Sequence, residues 1–182
     1  MELQEIQARL DEIYSLIPDF DCKGCGRCCG PINWRVPEGM VIKKYMQEHG
    51  IEHVVWSPED YEKHDLDCPY LRENKCVIYP VRPLVCRLQG HVKKLRCPYH
   101  NIIACEHCGQ KFPEIEAVNK FIEITADGKH AVIGKTVTCP KCHKTTGLVH
   151  DEKYGDIPEP LEEQIYRMIF GLEKEIIASY SR

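Results

Sequence analysis

Twelve cysteines are the feature that most limits what this 182-residue chain can fold into. At such density cysteines either form disulfides in an oxidising compartment or bind metal in a reducing one. Many of them lie three positions apart, the spacing at which a loop wraps one ion or cluster: Cys22, Cys25 and Cys28, then Cys105 and Cys108, and Cys139 and Cys142. The N-terminal sequence is acidic and amphipathic, without the basic and continuous apolar regions of a secretory signal. We therefore predict a cytoplasmic metal-binding protein.

Composition disfavours several other classes. Hydrophobic residues make up 43% and charged residues 29% of the chain, which is typical of a globular protein. The net charge of -4 gives no overall attraction to nucleic acid or an anionic membrane. No run of about 18 apolar residues predicts a membrane span. We expect the partner to be a larger protein, not nucleic acid or a bilayer.

Helical periodicity marks both ends of the chain. Apolar residues at spacings of three and four predict a helix over residues 2–17 that ends at Pro18. The same pattern predicts a closing helix of about twenty residues that begins at Pro160. A short helix is also predicted from about Pro37 to a stop near Gly50.

The middle of the chain is expected to be less regular. Five prolines leave little room for long elements in residues 51–100, so we expect metal to order this segment more than a large apolar core does. Residues 118–125 and 130–138 are rich in β-formers, and Asp127 with Gly128 between them predicts a hairpin turn. The predicted fold is α+β: a small, irregular, metal-stabilised domain with flanking helices, and a zinc-ribbon-like β-hairpin module.

Two CxxC knuckles lie on either side of the predicted hairpin. Their sequences, CEHCG and CPKCH, resemble the knuckles of a zinc ribbon. Four thiolates around one ion leave no open position, so such a zinc is structural. Rubredoxin-like iron is the main alternative, and two redox pairs are disfavoured because neither joins a strand to a helix. The predicted zinc ligands are Cys105, Cys108, Cys139 and Cys142.

The other eight cysteines lie between residues 22 and 97. They occur in a CxxCGxCC motif, a Cys-Pro, a CVIYPVRPLVCR block and a second Cys-Pro. At these motifs the sequence resembles the YkgJ family of zinc- or iron-chelating proteins with a cysteine cluster, over roughly residues 20–100. The resemblance implies a metal site drawn from Cys22, Cys25, Cys28, Cys29, Cys68, Cys76, Cys86 and Cys97. The best-known functional relative of that family is a flagellin lysine methylase with a related cysteine set.

The spacing of the eight cysteines favours iron over zinc. CxxCxxC with a remote Cys-Pro is how bacterial-type [4Fe–4S] clusters are bound, while zinc is better satisfied by two CxxC knuckles. We therefore favour at least one [4Fe–4S] cluster over zinc alone. The adjacent Cys28 and Cys29 cannot easily reach one small ion. Whether the eight cysteines form one site or two stays open.

Basic and imidazole side chains flank these cysteines. Arg82 and Arg87 either offset the negative charge of a thiolate-ligated cluster, which would raise its reduction potential, or form salt bridges with acidic residues nearby. His91 and His100 lie on either side of Cys97, where either could replace a thiolate. We expect these histidines to be bystanders.

No nucleophile–base pair, phosphate loop or dinucleotide fingerprint is recognisable in the sequence. We predict a cysteine-cluster domain with its N-terminal helix at 1–100, a ribbon-like module at 101–150 and a C-terminal helix at 151–182. The leading hypothesis is a non-enzymatic protein with a [4Fe–4S] cluster and Zn²⁺ that docks on a larger partner, for electron transfer or for oxygen- or redox-responsive regulation. Alternatives are a cluster-dependent protein-modifying enzyme, by analogy with the methylase, and a zinc-only scaffold or metal chaperone.

Overall fold

A computed structural model describes the fold at residues 1–20, 22, 24–26, 29–92, 95, 97, 102–111, 118–124, 131–145, 148–150 and 157–181. In chain order its elements are α1 (Leu3–Ser15), α2 (Val36–Glu48), α3 (Pro58–Lys63), β1 (Leu71–Arg72), β2 (Lys75–Cys76), a 3-10 turn (Tyr79–Val81), α4 (Leu84–Arg87), β3 (Ile102–Cys105), β4 (Val118–Ile124), β5 (Ala131–Val137), β6 (Leu148–His150) and α5 (Glu159–Tyr180). The chain is therefore mixed α+β, as predicted.

The first and last helices bury their apolar stripes in one core with α2. In α1 the buried residues are Ile6, Leu10 and Ile13, at the predicted spacings of four and three. The buried residues of α5 are Ile165, Ile169, Leu172 and Ile176. Full burial of one such side chain contributes about 1.5–3 kcal/mol, so these two stripes supply much of the stability of the helical core. The predicted helices at both ends are confirmed.

Residues 51–92 contribute apolar side chains to the interior as well. Leu84, Leu88 and Val92 belong to the helical core. Tyr70 and Ile78 form a second buried cluster with residues of α2. Metal was expected to order this segment more than an apolar core does, but buried apolar side chains also contribute substantially to its order.

Antiparallel strand pairs account for the β-structure of the described residues. β1 and β2 form a two-residue hairpin whose turn residues, Glu73 and Asn74, both have positive φ, as a type I′ turn requires. β4 and β5 pair in continuous register from Val118 with Val137 to Ile124 with Ala131. The strands of the predicted hairpin are thus confirmed, and its predicted turn residues lie outside the described residues.

The pairing of β3 with β6 was not predicted from the sequence. It places Cys105 opposite Leu148, so the first residue of the first knuckle is anchored in a strand. Within the described residues, no helix is both long enough and apolar enough to cross a membrane.

Candidate metal centres

The four C-terminal cysteines converge on one point. The sulfur of Cys105 lies 3.6 Å from that of Cys142, and the sulfur of Cys108 lies 3.7 Å from that of Cys139. All four sulfurs lie within 4.8 Å of one another. A tetrahedral zinc with bonds of about 2.3 Å sets its sulfurs roughly 3.8 Å apart, whereas a disulfide requires about 2.05 Å. The arrangement fits one tetrahedral ion and not two disulfides.

The two knuckles that hold these cysteines have the same backbone geometry. In each, the N–H four residues after the first cysteine donates to that cysteine's carbonyl: Gly109 to Cys105 at 2.7 Å and His143 to Cys139 at 2.9 Å. Gly109 and His143 both have positive φ, 67° and 58°. Glycine adopts this conformation without strain and histidine does so at some cost. His143 is therefore part of the turn that orients the thiols of Cys139 and Cys142, and its own side chain is exposed.

The close approach of the four sulfurs gives these thiols different pKa values. Burial acts to raise the pKa of Cys139, but the backbone of Cys142 and Lys141 and hydrogen bonds with neighbouring thiols lower it to about 7. For Cys142 the backbone of Lys144 lowers the pKa, while burial and the three other sulfurs raise it to about 11. A bound divalent cation removes this conflict, because it favours the deprotonated form of all four ligands.

Seven of the eight N-terminal cysteines line a single cavity of about 120 Å³. They are Cys22, Cys25, Cys29, Cys68, Cys76, Cys86 and Cys97. The eighth predicted member of the pool, Cys28, lies outside the described residues. Sequence positions 75 residues apart are thus brought to one place, as a shared metal site requires.

Several short elements carry these thiols to the cavity wall. Cys76 ends β2 and pairs with Leu71, and Cys86 lies on α4. Gly26, in the cysteine loop, has a φ of 72°, and a Cβ there would lie 2.9 Å from the Leu71 side chain. Glycine at this position therefore lets the loop lie directly against the β1–β2 hairpin. The buried Cys68 belongs to the second apolar cluster, so this wall of the cavity is also core.

The cavity differs from the C-terminal site in scale. Among the described residues, the only group of three or more potential ligands within 4.8 Å of one another is the C-terminal one. The cavity also exceeds the roughly 10–15 Å³ that one water-sized sphere occupies. The seven thiols therefore surround a larger space than the four C-terminal sulfurs do.

Two arginines and no carboxylate line the described part of this cavity. The Arg82 guanidinium lies 4.0 Å from the centre of the Tyr79 ring, and Arg87 donates to the carbonyls of Arg82 and Pro80 at 2.9 and 3.1 Å. Neither arginine takes part in the ion pairs found among the described residues. Burial raises the pKa of the Cys76 thiol, and the charge of Arg82 partly opposes that rise.

His91 is buried, at 7% exposure, but it is not among the residues that line the cavity. Its Nε2 has no hydrogen-bond partner within the described part of the chain. Burial lowers the pKa of His91, partly offset by a hydrogen bond with the Pro18 backbone. The imidazole is therefore predominantly neutral. His100, the other histidine considered from the sequence, lies outside the described residues.

Glu38, a carboxylate only 2% exposed, was not predicted from the sequence. It accepts hydrogen bonds from the Tyr14 hydroxyl at 2.8 Å, from the Arg35 N–H at 2.8 Å and from the Leu84 N–H. Leu84 begins the short helix that carries Cys86, so Glu38 joins α1 and α2 to a cavity wall. Its place in the first turn of a helix indicated a capping role but gave no sign of the distant partners.

Comparison with known proteins bears on the N-terminal half. Residues 21–108 match the family model described as "CxxCxxCC: Putative zinc- or iron-chelating domain". The match confirms the resemblance read from the cysteine motifs and extends further than expected, to include Cys105 and Cys108. No curated protein and no solved structure matches the chain.

Proposed function

We propose that this chain, whose residues 21–108 belong to the CxxCxxCC family of zinc- or iron-chelating domains, is an iron–sulfur and zinc protein that docks on a larger protein partner. In this proposal the cavity cysteines hold a [4Fe–4S] cluster, and Cys105, Cys108, Cys139 and Cys142 hold a structural zinc. The cluster would supply a one-electron redox centre.

The observation that carries the proposal is the contrast between the two sets of thiols. Four sulfurs at the separations of a tetrahedral ion match what zinc requires. The larger cavity offers more thiolates than one ion can bind, at wider separations, which favours a polynuclear group. One chain thus provides two donor sets suited to different metals.

The position of the cavity is compatible with electron transfer or redox-responsive regulation. Cys22 is exposed and Cys25 is partly exposed, so the site lies at the molecular surface. A cluster there would be within reach of a redox partner and of dissolved oxygen. A reducing compartment such as the cytoplasm would keep these thiols available for metal.

Measuring both metals in the parent chain and in two cysteine variants tests which thiols hold which metal. The full chain is purified anaerobically, and iron, sulfide and zinc are measured per chain. We expect a brown protein with absorbance near 400 nm that dithionite bleaches, carrying one zinc. Cys76→Ser should lose most of the iron and keep the zinc, whereas Cys105→Ser should lose the zinc and keep the iron. A colourless protein with zinc as its only metal would refute the cluster.

The regulatory form of the proposal makes a separate prediction. If cluster integrity controls docking, the proteins captured with the full chain under nitrogen should differ from those captured under air. Cys76→Ser, handled in the same way, should give the air pattern in both atmospheres. Identical partners under both atmospheres would argue against a sensor, and electron transfer would then be the remaining form of the proposal.

A further inference from the structure

Basic residues are concentrated in the sequence segments that carry most of the N-terminal cysteines. The segments 22–29 and 79–97 contain seven lysines and arginines and no aspartate or glutamate. The remainder of the chain contains 17 basic and 28 acidic residues. An acidic protein thus carries its excess positive charge in the segments that supply six of the eight N-terminal cysteines.

Among the described residues, Arg82 places part of this positive charge at the surface. Arg82 is partly exposed and lines the cavity together with Tyr79 and Val85, which are 41% and 37% exposed. The guanidinium is stacked on the Tyr79 ring, and one of its N–H groups donates to the Tyr79 carbonyl at 3.3 Å. No acidic side chain neutralises it within the described part of the chain. We call Tyr79, Arg82 and Val85 the cavity rim.

We propose that the cavity rim is the surface on which an acidic protein partner docks, with partner carboxylates facing Arg82. This inference rests on the proposed function, because it names the face through which the cavity would meet its partner. Exposed tyrosine and arginine beside an apolar residue are typical of interface centres. A planar guanidinium pairs with a carboxylate through two parallel N–H···O bonds, and complementary charge accelerates encounter.

A protein is favoured over nucleic acid by the remainder of the surface. A polyphosphate would meet the 28 acidic side chains as well as the basic segments, and the net charge of -4 repels it. A folded partner with a local acidic patch could meet the cavity rim alone. Single-stranded DNA is therefore the natural comparison ligand.

Fluorescent poly-L-glutamate of about twenty residues serves as the probe, with fluorescence anisotropy reporting its binding to the full chain as isolated. The test variant is Arg82→Gln. Arg167→Gln is the matched control, because Arg167 is exposed on α5 and is not among the cavity-lining residues. Arg82→Lys keeps the charge and removes the planar fork. Oligothymidylate of the same length and poly-L-lysine are the comparison ligands.

We expect Arg82→Gln to weaken poly-L-glutamate binding about fourfold at roughly 0.01 M salt and about twofold at roughly 0.1 M. These factors follow from Coulomb's law for a unit charge acting on two carboxylates about 8 Å away in water, with screening. Arg167→Gln should leave binding within about 1.5-fold, because screened Coulomb interactions weaken with distance and α5 contributes no residue to the cavity lining. Arg82→Lys should keep most of the salt dependence.

Three results would overturn the proposal. They are equal binding by Arg82→Gln and Arg167→Gln, tighter binding of oligothymidylate than of poly-L-glutamate, and no binding of poly-L-glutamate at low salt. Metal analysis of the same preparation is independent of all three. If the protein contains only zinc but Arg82→Gln still weakens poly-L-glutamate binding, the cluster is refuted and the docking surface stands. If the protein contains the cluster but Arg82→Gln binds as tightly as Arg167→Gln, the cluster stands and the docking surface is refuted.

Discussion

Replacing Glu38 with alanine should destabilise the fold and the cavity together. The carboxylate is almost fully buried and accepts hydrogen bonds from Tyr14, Arg35 and Leu84. Its removal leaves the buried Leu84 N–H and the half-buried Tyr14 hydroxyl without an acceptor, while the Arg35 N–H can turn to water. A buried donor without a partner costs about 1–3 kcal/mol. The expected loss for Glu38→Ala, with two such donors, is therefore about 2–6 kcal/mol, a large share of the roughly 5–15 kcal/mol of a typical domain.

Glu38→Gln separates the shape of this side chain from its acceptor capacity. One amide oxygen can still accept from Tyr14 and Leu84, but the amide nitrogen would face the Arg35 N–H, donor against donor. We expect a smaller loss of about 1–2 kcal/mol. Glu163→Ala, an exposed change on α5, is the control and should fall within about 0.5 kcal/mol.

Urea denaturation of the three variants and the parent chain, at matched metal content, measures these differences, since a bound metal also shifts apparent stability. Iron content after anaerobic purification is the second readout. Because Leu84 begins the helix that carries Cys86, Glu38→Ala should also lower the iron content. A loss below about 1 kcal/mol for Glu38→Ala, with unchanged iron, would refute the view that this carboxylate holds the cavity wall.

Three further predictions concern separate features. Burial, followed by the charge and hydrogen bond of the adjacent carboxylate, raises the pKa of Tyr14, so its stabilising contribution is complete below the unfolded value of about 10 and is lost as pH rises above it. Urea titrations at increasing pH should therefore show a steeper alkaline loss for the parent than for Tyr14→Phe. Gly90 has a φ of 90° and lies against the Phe20 ring, so Gly90→Ala should lower the free energy of unfolding by about 2–4 kcal/mol, measured by heat or urea. Gly171 lies within α5 with open space around it, so the control Gly171→Ala should raise the free energy of unfolding by about 0.5–1 kcal/mol. All four thiols must lose their protons to bind zinc, and their pKa values reach from about 7 at Cys139 to about 11 at Cys142. For the zinc-loaded protein, zinc transfer to a colorimetric chelator should therefore increase steadily as pH falls from alkaline values and more steeply once it falls below the pKa of Cys139, and a pH-independent transfer would contradict thiolate ligation.

Much of the secondary structure was predictable because its causes are local. The stripe of Ile6, Leu10 and Ile13 has helical spacing, and a helix that buries one face needs little beyond that pattern. Richness in β-formers likewise predicted strands within 118–125 and 130–138, where the structure has them at Val118–Ile124 and Ala131–Val137. The pairing of β3 with β6 was missed, since it joins strands about 45 positions apart and neither is long enough to show a clear period.

The sequence by itself determined the kind of donor at each site. Cysteine identity and CxxC spacing indicated metal-binding knuckles, because a tight turn brings residues three apart to one ion. It also carried the cysteine motifs through which residues 21–108 match the model of a zinc- or iron-chelating domain.

Only the tertiary structure decided which thiols share a space. Cys68, Cys86 and Cys97 join the loop cysteines through packing of β1, β2 and α4 against the helices, and no local spacing encodes that convergence. The same holds for Glu38, whose partners on α1 and α4 are fixed by how the helices pack. Ligand type follows from side-chain chemistry, but ligand grouping depends on distances across the fold, which arise only when the apolar core brings remote segments together.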